Sequence, residues 1–134
     1  MAKVISFSNQ KGGVGKTTTA CAVASGLKKR GFRVLAIDLD PQGNLGFSVG
    51  ADTETSATIY DVLKGEVKTQ FAIQKTPAAD IIISSILLSG IELEFTDKGR
   101  EFLLKNALKP VQDRYDYIVL DTPPALGILT INAF

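Results

Sequence analysis

A glycine-rich stretch near the amino terminus, KGGVGKTT at Lys11–Thr18, constrains this chain more than any other feature. The apolar run Lys3–Ser8 before it predicts a buried strand, and the alanine-rich run Thr19–Leu27 after it predicts a helix. Glycines let the backbone curl so that successive N–H groups point at one anion, and the first helical turn adds further unpaired N–H groups. This order of elements predicts a phosphate-binding loop.

Two side chains that follow the glycines suit the same chemistry. Lys16 places a compact cation where terminal phosphates would lie, and the Thr17 hydroxyl suits a Mg²⁺ ion that bridges them. The match to the P-loop pattern GxxxxGK[ST] is partial, because Gln10 occupies the first glycine position and Lys11 adds a second lysine. The alternative is a glycine turn without a ligand, which the flanking strand and helix disfavour.

Composition excludes several classes of site. The chain has 134 residues, enough for one domain with a core, and a net charge of +1, which neither favours nor excludes nucleic acid. Without histidine there is no histidine-ligated metal and no histidine general base. Cys21 is the single cysteine, so it cannot form an internal disulfide or build a cysteine metal site. We expect it to pack rather than to take part in redox chemistry, and a cytosolic, reducing location fits. We find no signal peptide and no apolar run long enough to span a bilayer.

Strands and helices alternate along the rest of the chain. Further strands are predicted at Arg33–Asp40, Asp80–Ser84 and Tyr115–Asp121. The first of these is continuously apolar, which is typical of a strand buried on both faces of a parallel sheet. The alternation predicts an α/β fold of the P-loop NTPase type, with a mostly parallel sheet, helices on both faces and right-handed crossovers.

Helical spacing of apolar residues predicts the connecting elements. Three helices are predicted, at about Lys16–Arg30, at Ile59–Lys64 closed by Gly65, and at Asp97–Lys109 with Thr96 as a candidate N-cap. Gly43–Thr58 is expected to be a loop, Phe71–Ile73 a short extended piece, and Ser85–Phe95 ambiguous with a helix favoured. The basic triplet Lys28–Arg30 is interpreted as charge at a helix carboxyl terminus, with a nucleic-acid patch as the alternative.

Three carboxylates follow the apolar parts of two strands. Asp38 and Asp40 end the second strand, and Asp121 ends the last one. If both strands flank the first strand, all three acids converge on the glycine-rich loop, as a Mg-nucleotide site requires. An acid after four apolar residues, as at Asp121, is the Walker B pattern.

These motifs, in this order, resemble the ParA/Soj family of partitioning ATPases, within the deviant-Walker group that also contains MinD. The resemblance lies in the residues Lys11–Thr19, Val34–Asn44 and Tyr115–Pro124. Thr58–Leu63 and Gly127–Ala133 also resemble that family. The similarity extends over nearly the whole chain, and the run DLDPQGN resembles the ParA branch rather than MinD.

The resemblance implies a Mg²⁺-dependent, ATP-binding and ATP-hydrolysing dimeric switch that acts in chromosome or plasmid partitioning or cargo positioning. It implies that Lys11, Lys16 and Asp40 are catalytic, with Lys11 reaching the partner's nucleotide and Asp40 orienting the attacking water. Thr17, Asp38 and Asp121 would support the Mg²⁺ ion. The nucleotide-binding set implied for ATP is Gly12, Gly13, Val14, Gly15, Lys16, Thr17 and Thr18.

The resemblance also implies partners and an incomplete domain. Family members are commonly about twice as long, so residues 1–134 are expected to form the amino-terminal part of one nucleotide-binding domain, incomplete at its carboxyl terminus. The expected partners are a second copy through the nucleotide face, a ParB-like activator and non-specific DNA, with no membrane. The expected location is cytoplasmic and, for the full-length family, nucleoid-associated.

Two other functions stay open from the sequence. One is a nucleotide-binding interaction module that no longer hydrolyses, a truncated remnant. The other is a MinD-like positioning ATPase, which would need an amphipathic carboxyl-terminal helix that this chain does not supply. GTP as the substrate is not excluded by the loop alone, although the resemblance favours ATP.

Overall fold

Five strands form the sheet of the computed structural model, which describes residues 2–8, 13–54, 56–90 and 103–122. The strands are β1 (Lys3–Ser8), β2 (Val34–Asp38), β3 (Gln74–Lys75), β4 (Asp80–Ile82) and β5 (Tyr117–Thr122). Their order across the sheet is β1-β5-β2-β4-β3. The strands β1, β5, β2 and β4 are parallel to one another, and the short β3 pairs antiparallel with β4. The predicted mostly parallel α/β sheet is therefore confirmed.

Helices connect these strands. They are α1 (Gly13–Lys29), α2 (Asn44–Ser48), α3 (Ile59–Leu63), α4 (Thr69–Ala72) and α5 (Leu103–Leu108), together with 3-10 helices at Ile86–Gly90 and Gln112–Arg114. Within the described ranges, no helix combines the length and the apolar character that crossing a membrane requires.

Alternating side chains of the strands pack into two cores, one on each face of the sheet. On one face, Leu35 and Ile37 of β2 join a cluster that includes Leu104 and Leu108 of α5. On the other face, Ala36 belongs to a cluster with residues of α1 and α2. Because side chains alternate across a strand, the continuous apolar run of β2 serves both cores, as predicted.

The first helix lies close to the sheet because its inner face carries small side chains. Ala20 and Ala24 are buried, while Val23 and Leu27 are half-buried at the margin. Cys21 packs against the same cluster, which confirms its expected packing role. The helix begins at Gly13, earlier than the predicted start.

Two predictions about the connecting segments are wrong. The expected loop Gly43–Thr58 contains α2, which begins where Gly43 takes a left-handed conformation (φ 72°) and buries Leu45. The expected extended piece Phe71–Ile73 lies partly in α4, because Ala72 is buried against the α3 face of the core. Tertiary burial outweighs the weak local pattern in both segments.

The other helices follow the prediction more closely. A capping box begins α3, in which the backbone N–H of Thr58 donates to Asp61 Oδ2 at 2.9 Å, and Gly65 follows the helix with positive φ. The helix α5 lies inside the predicted Asp97–Lys109. Residues 91–102, with the candidate cap Thr96, lie outside the described residues.

Candidate functional site

Two buried carboxylates face each other at the carboxyl edge of the sheet. Asp38 and Asp121 are register partners on β2 and β5, and both are fully buried. On its other side, β5 pairs with β1, so that Phe7 lies opposite Asp121 and Ser8 opposite Thr122. The last strand therefore separates β1 from β2, and the condition that both acidic strands flank the first strand is not met. The acids nevertheless gather at one edge, because neighbouring parallel strands end together.

Backbone N–H groups hold the Asp38 carboxylate in place. Its Oδ1 accepts a hydrogen bond from the N–H of Asp40 at 3.0 Å, and its Oδ2 accepts one from the N–H of Gly46 at 3.4 Å. A side chain at Gly46 would crowd Ile83, because a Cβ there would lie 3.0 Å from Ile83 Cγ2. A glycine at this position therefore lets the α2 backbone approach both β4 and the carboxylate.

Burial and a neighbouring negative charge raise the pKa of Asp38. Desolvation is the larger cause, and the Asp121 carboxylate adds repulsion, so that the pKa rises from 3.8 to about 7. The hydrogen bonds from the backbone of Asp40 and Gly46 oppose this rise. A bound cation between these carboxylates would relieve both the desolvation and the repulsion, so the site is suited to a positive ligand.

Replacing Asp38 with asparagine should stabilise the chain at neutral pH when divalent cations are removed. When folding raises the pKa of an acid, the free energy of unfolding of the protein falls as pH rises from about 4 to about 7, because the folded state must then ionise that acid at a cost. The asparagine amide cannot ionise but loses one accepted hydrogen bond, so at pH 8 the Asp38→Asn chain should gain about 2 kcal/mol. Urea unfolding in EDTA at pH 5 and pH 8 measures this.

The pH dependence separates this electrostatic effect from a packing effect. At pH 5 the wild-type carboxyl is mostly protonated in the folded state, so the gain should be small there. Asp113→Asn, at an exposed position on the 3-10 helix, is the matched control and should change stability little at either pH. An Asp38→Asn chain destabilised equally at both pH values would contradict the prediction.

Asp40 lies two residues beyond the end of β2, with only 9% of its surface exposed. Its Oδ1 accepts a hydrogen bond from the N–H of Gln42 at 3.0 Å, and its carbonyl oxygen accepts one from the N–H of Gly43 at 2.9 Å. These two bonds turn the chain sharply into α2. The turn keeps a third carboxylate at the same edge as Asp38 and Asp121.

The predicted phosphate-binding residues divide between described and undescribed parts of the chain. Lys11 and Gly12 lie outside the described residues. The remaining members begin α1, and their backbone is helical: Gly13, Val14, Gly15, Lys16, Thr17 and Thr18. The first N–H groups of a helix have no intrahelical acceptor, so this turn offers donors to an anion. Only residues 9–12 separate it from the end of β1, which keeps it near the carboxyl edge.

A hydrated magnesium ion fits the donor set at this edge better than a bare one. Among the residues that the structure describes, no group of three acidic, histidine or cysteine side chains could by itself hold a metal ion. Magnesium usually keeps several waters and is held by one or two carboxylates with substrate phosphates. The two facing carboxylates of Asp38 and Asp121 meet that requirement.

Sequence reasoning missed two polar groups at the edge. Gly46 donates to Asp38 from within α2, in the segment predicted to be a loop. Thr122 is fully buried, and its Oγ1 has no hydrogen-bond partner in the described part of the chain. Gly43 after Pro41 and Gln42 was the available signal for a turn into α2, whereas the burial of Thr122 follows only from the strand order.

Comparison with known proteins relates this geometry to one family. A family model, AAA_31, described as an AAA domain, matches residues 2–134. The chain is 43% identical over 137 residues to the sporulation initiation inhibitor protein Soj of Bacillus subtilis, covering 99% of this chain and 54% of that protein. It is 44% identical over 135 residues to the chromosome-partitioning ATPase Soj of Treponema pallidum, covering 98% of this chain and 53% of the relative.

A solved structure shares the fold. Cobyrinic acid a,c-diamide synthase from Mycobacterium smegmatis, with bound ADP and magnesium, superposes with a TM-score of 0.89 at 40% identity. The match covers 99% of this chain and 56% of that one. The chain thus spans about half the length of the relatives it matches. The resemblance predicted from the three motifs is confirmed.

Proposed function

The chain belongs to the AAA domain family, and from this membership we propose that it forms part of a Mg²⁺-dependent ATP-binding and ATP-hydrolysing switch of the ParA/Soj type. The switch would act as a dimer in chromosome or plasmid partitioning, or in cargo positioning. The observation that carries the proposal is the convergence of three carboxylates, Asp38, Asp40 and Asp121, at the sheet edge where β1 leads into the glycine-rich stretch.

The nucleotide would lie across the first turn of α1. Backbone N–H groups of Gly13–Gly15, together with Thr18, would bind its α- and β-phosphates, and Lys16 would bind the β- and γ-phosphates. Thr17, Asp38 and Asp121 would hold Mg²⁺, the two carboxylates through its water shell. The ion would neutralise the charge that develops on the phosphates. The raised pKa of Asp38 supports a cation here. Burial and the Asp121 carboxylate disfavour a negative charge on Asp38, and a nearby positive charge would offset both effects.

Two residues would act on the reacting phosphate. Asp40 would orient the attacking water. Its position supports this role, because it lies in the turn beyond β2, next to Asp38 but outside the paired strands β2 and β5. Lys11 would reach across a two-fold interface to the partner's nucleotide, so that hydrolysis requires a dimer. ATP would stabilise the dimer through contacts that exist only in the dimer, and hydrolysis would release the dimer.

The partners of the whole protein follow from the same proposal. A ParB-like activator would stimulate hydrolysis, and non-specific DNA would hold the ATP-bound dimer on the nucleoid in the cytoplasm. The similarity to the Treponema pallidum chromosome-partitioning ATPase supports this role. A second candidate is a nucleotide-binding interaction module without hydrolysis, because the residues proposed to bind nucleotide do not by themselves require turnover.

Calorimetric titration with nucleotide tests the proposal directly. Mg-ATP and Mg-ADP should bind to the chain with one site each, and replacing magnesium with EDTA should weaken ATP binding by about tenfold or more. Mg-GTP is the matched control for the base, and we expect it to bind more weakly than Mg-ATP. If a chain that circular dichroism shows to be folded binds none of these nucleotides, this part of the protein does not carry the site.

A further inference from the structure

A cavity lies at the opposite edge of the sheet from the carboxylates. It has a volume of about 450 Å³ and is lined by the amino ends of the central strands, including Val34 of β2 and Asp80 of β4. Asp38 ends the same strand that Val34 begins, which places the cavity roughly 13 Å from the proposed nucleotide site. The cavity is therefore a separate site, within the usual range of volumes for ligand pockets.

Apolar and aromatic groups form the floor of this cavity. Val34 and Tyr115 are buried, and Ile73 is half-buried beside them. Phe32, also in the lining, keeps 39% of its surface exposed and packs edge-to-face on Tyr117 with ring centroids 5.1 Å apart. Ile73 and Phe32 leave apolar surface open to solvent, where an apolar side chain of a ligand can pack.

Asp80, an acidic side chain in the cavity lining, accepts a hydrogen bond from a neighbouring lining residue. The Tyr115 hydroxyl donates a hydrogen bond to Asp80 Oδ2 at 2.8 Å. Burial and this bond raise the pKa of Tyr115, so the hydroxyl stays a neutral donor. A hydrogen bond from a neutral hydroxyl does not cancel the charge of a carboxylate, so Asp80 offsets one of the four positive charges in the cavity lining.

Four cationic side chains surround the floor, and two of them are available for a ligand. Lys28 Nζ donates to the carbonyl oxygen of Thr76 at 2.9 Å, and Arg33 forms an ion pair with Asp116 at 3.2 Å. The other two, Lys75 and Arg114, are exposed and form no ion pair with any described residue. The rim of the cavity is therefore positively charged.

The two available cations stand apart rather than together. Lys75 lies on β3, and Arg114 lies in the 3-10 helix that leads into β5. Three inter-strand steps separate β3 from β5, a distance of roughly 14 Å. About four residues of extended peptide span the distance between these two backbone positions, so acidic side chains near the two ends of such a segment can pair with both cations.

We propose that this cavity, the amino-edge cavity, docks an extended acidic peptide segment of a partner protein, with one apolar side chain on the floor and carboxylates paired with Lys75 and Arg114. Charge complementarity selects the acidic partner, and the apolar floor distinguishes it from duplex DNA. A duplex presents rows of phosphates and no long apolar side chain that projects from the backbone into a recessed floor. Rim charges of this kind set specificity and association rate, while the seated apolar side chain contributes affinity.

Fluorescence anisotropy with a defined probe tests the proposal. The probe is a fluorescein-labelled, amide-capped pentapeptide Asp-Glu-Leu-Glu-Asp, and its control is the charge-reversed Lys-Arg-Leu-Arg-Lys. We expect the acidic peptide alone to bind, with a Kd of about 10–100 μM that rises with salt. The double variant Lys75→Glu/Arg114→Glu should weaken binding by at least about tenfold.

Matched variants separate this surface from general charge and from the nucleotide site. Lys105→Glu/Lys109→Glu makes the same charge change at exposed positions on and beside α5 and should leave peptide binding unchanged. Lys16→Ala should also leave it unchanged, so the failure of one proposal is distinguishable from the failure of the other. Circular dichroism of each variant confirms folding.

Several results would overturn the inference. One is the absence of saturable binding up to about 1 mM peptide. Another is equal binding of the basic peptide, or an equal loss in the α5 double variant. If a labelled DNA duplex binds with the same dependence on Lys75 and Arg114 while the peptide does not, the surface is a nucleic-acid surface and the proposal is wrong.

Discussion

Lys16→Ala is expected to reduce the affinity for Mg-ATP by about 100-fold or more. Lys16 lies in the first turn of α1, where the dipole and the unpaired N–H groups already favour an anion. The ammonium would add a charge-assisted bond to the terminal phosphates, and removing one partner of such a bond costs about 3 kcal/mol. Calorimetric titration of Mg-ATP into wild-type and variant chains measures the loss.

The other end of the same helix provides the control. Lys29 is the last residue of α1 and is exposed, so Lys29→Ala removes an equal charge away from the proposed site. Its effect on Mg-ATP affinity should be less than about twofold. Equal affinity in Lys16→Ala and wild type, with both chains folded, would contradict the assignment of Lys16 to the phosphates.

Asp40→Asn should lower phosphate release from Mg-ATP by about 1000-fold while leaving nucleotide affinity nearly unchanged. Asparagine keeps an oxygen to accept the hydrogen bond from the N–H of Gln42, so the turn after β2 should persist. What is lost is the negative charge that would orient and activate the attacking water, an effect within the usual range for acid–base catalysis. Single-turnover phosphate release, at protein concentrations that favour a dimer, measures it.

Phosphate release also decides between the two candidate functions. Asp113→Asn makes the same chemical change at an exposed position and should release phosphate at the wild-type rate. If the wild-type chain binds Mg-ATP but releases no phosphate above the Asp40→Asn background, hydrolysis is absent. The interaction-module alternative would then hold for this part of the protein.

Strand assignments were predictable because the apolar runs are long and end in clear signals. The run at Arg33–Asp40 contains β2, and the run at Tyr115–Asp121 contains most of β5, with boundary differences of a few residues. The helix α2 escaped prediction because its five residues include Gly46 and Ser48, both weak helix formers. Burial of Leu45, packing of Gly46 against Ile83 and the contact with Asp38 make it a helix of this fold.

The sequence by itself determined the family resemblance, the parallel α/β class and the identity of the acids, because motifs and apolar periodicity are local properties of the chain. The tertiary structure alone decided that β5 lies between β1 and β2. Burial of Asp38, and then the Asp121 carboxylate set opposite it, raise the pKa of Asp38. The tertiary structure alone also assembled the amino-edge cavity from four separate parts of the chain. Strand order depends on long-range pairing, whose energy resides in contacts between distant residues that no local pattern records.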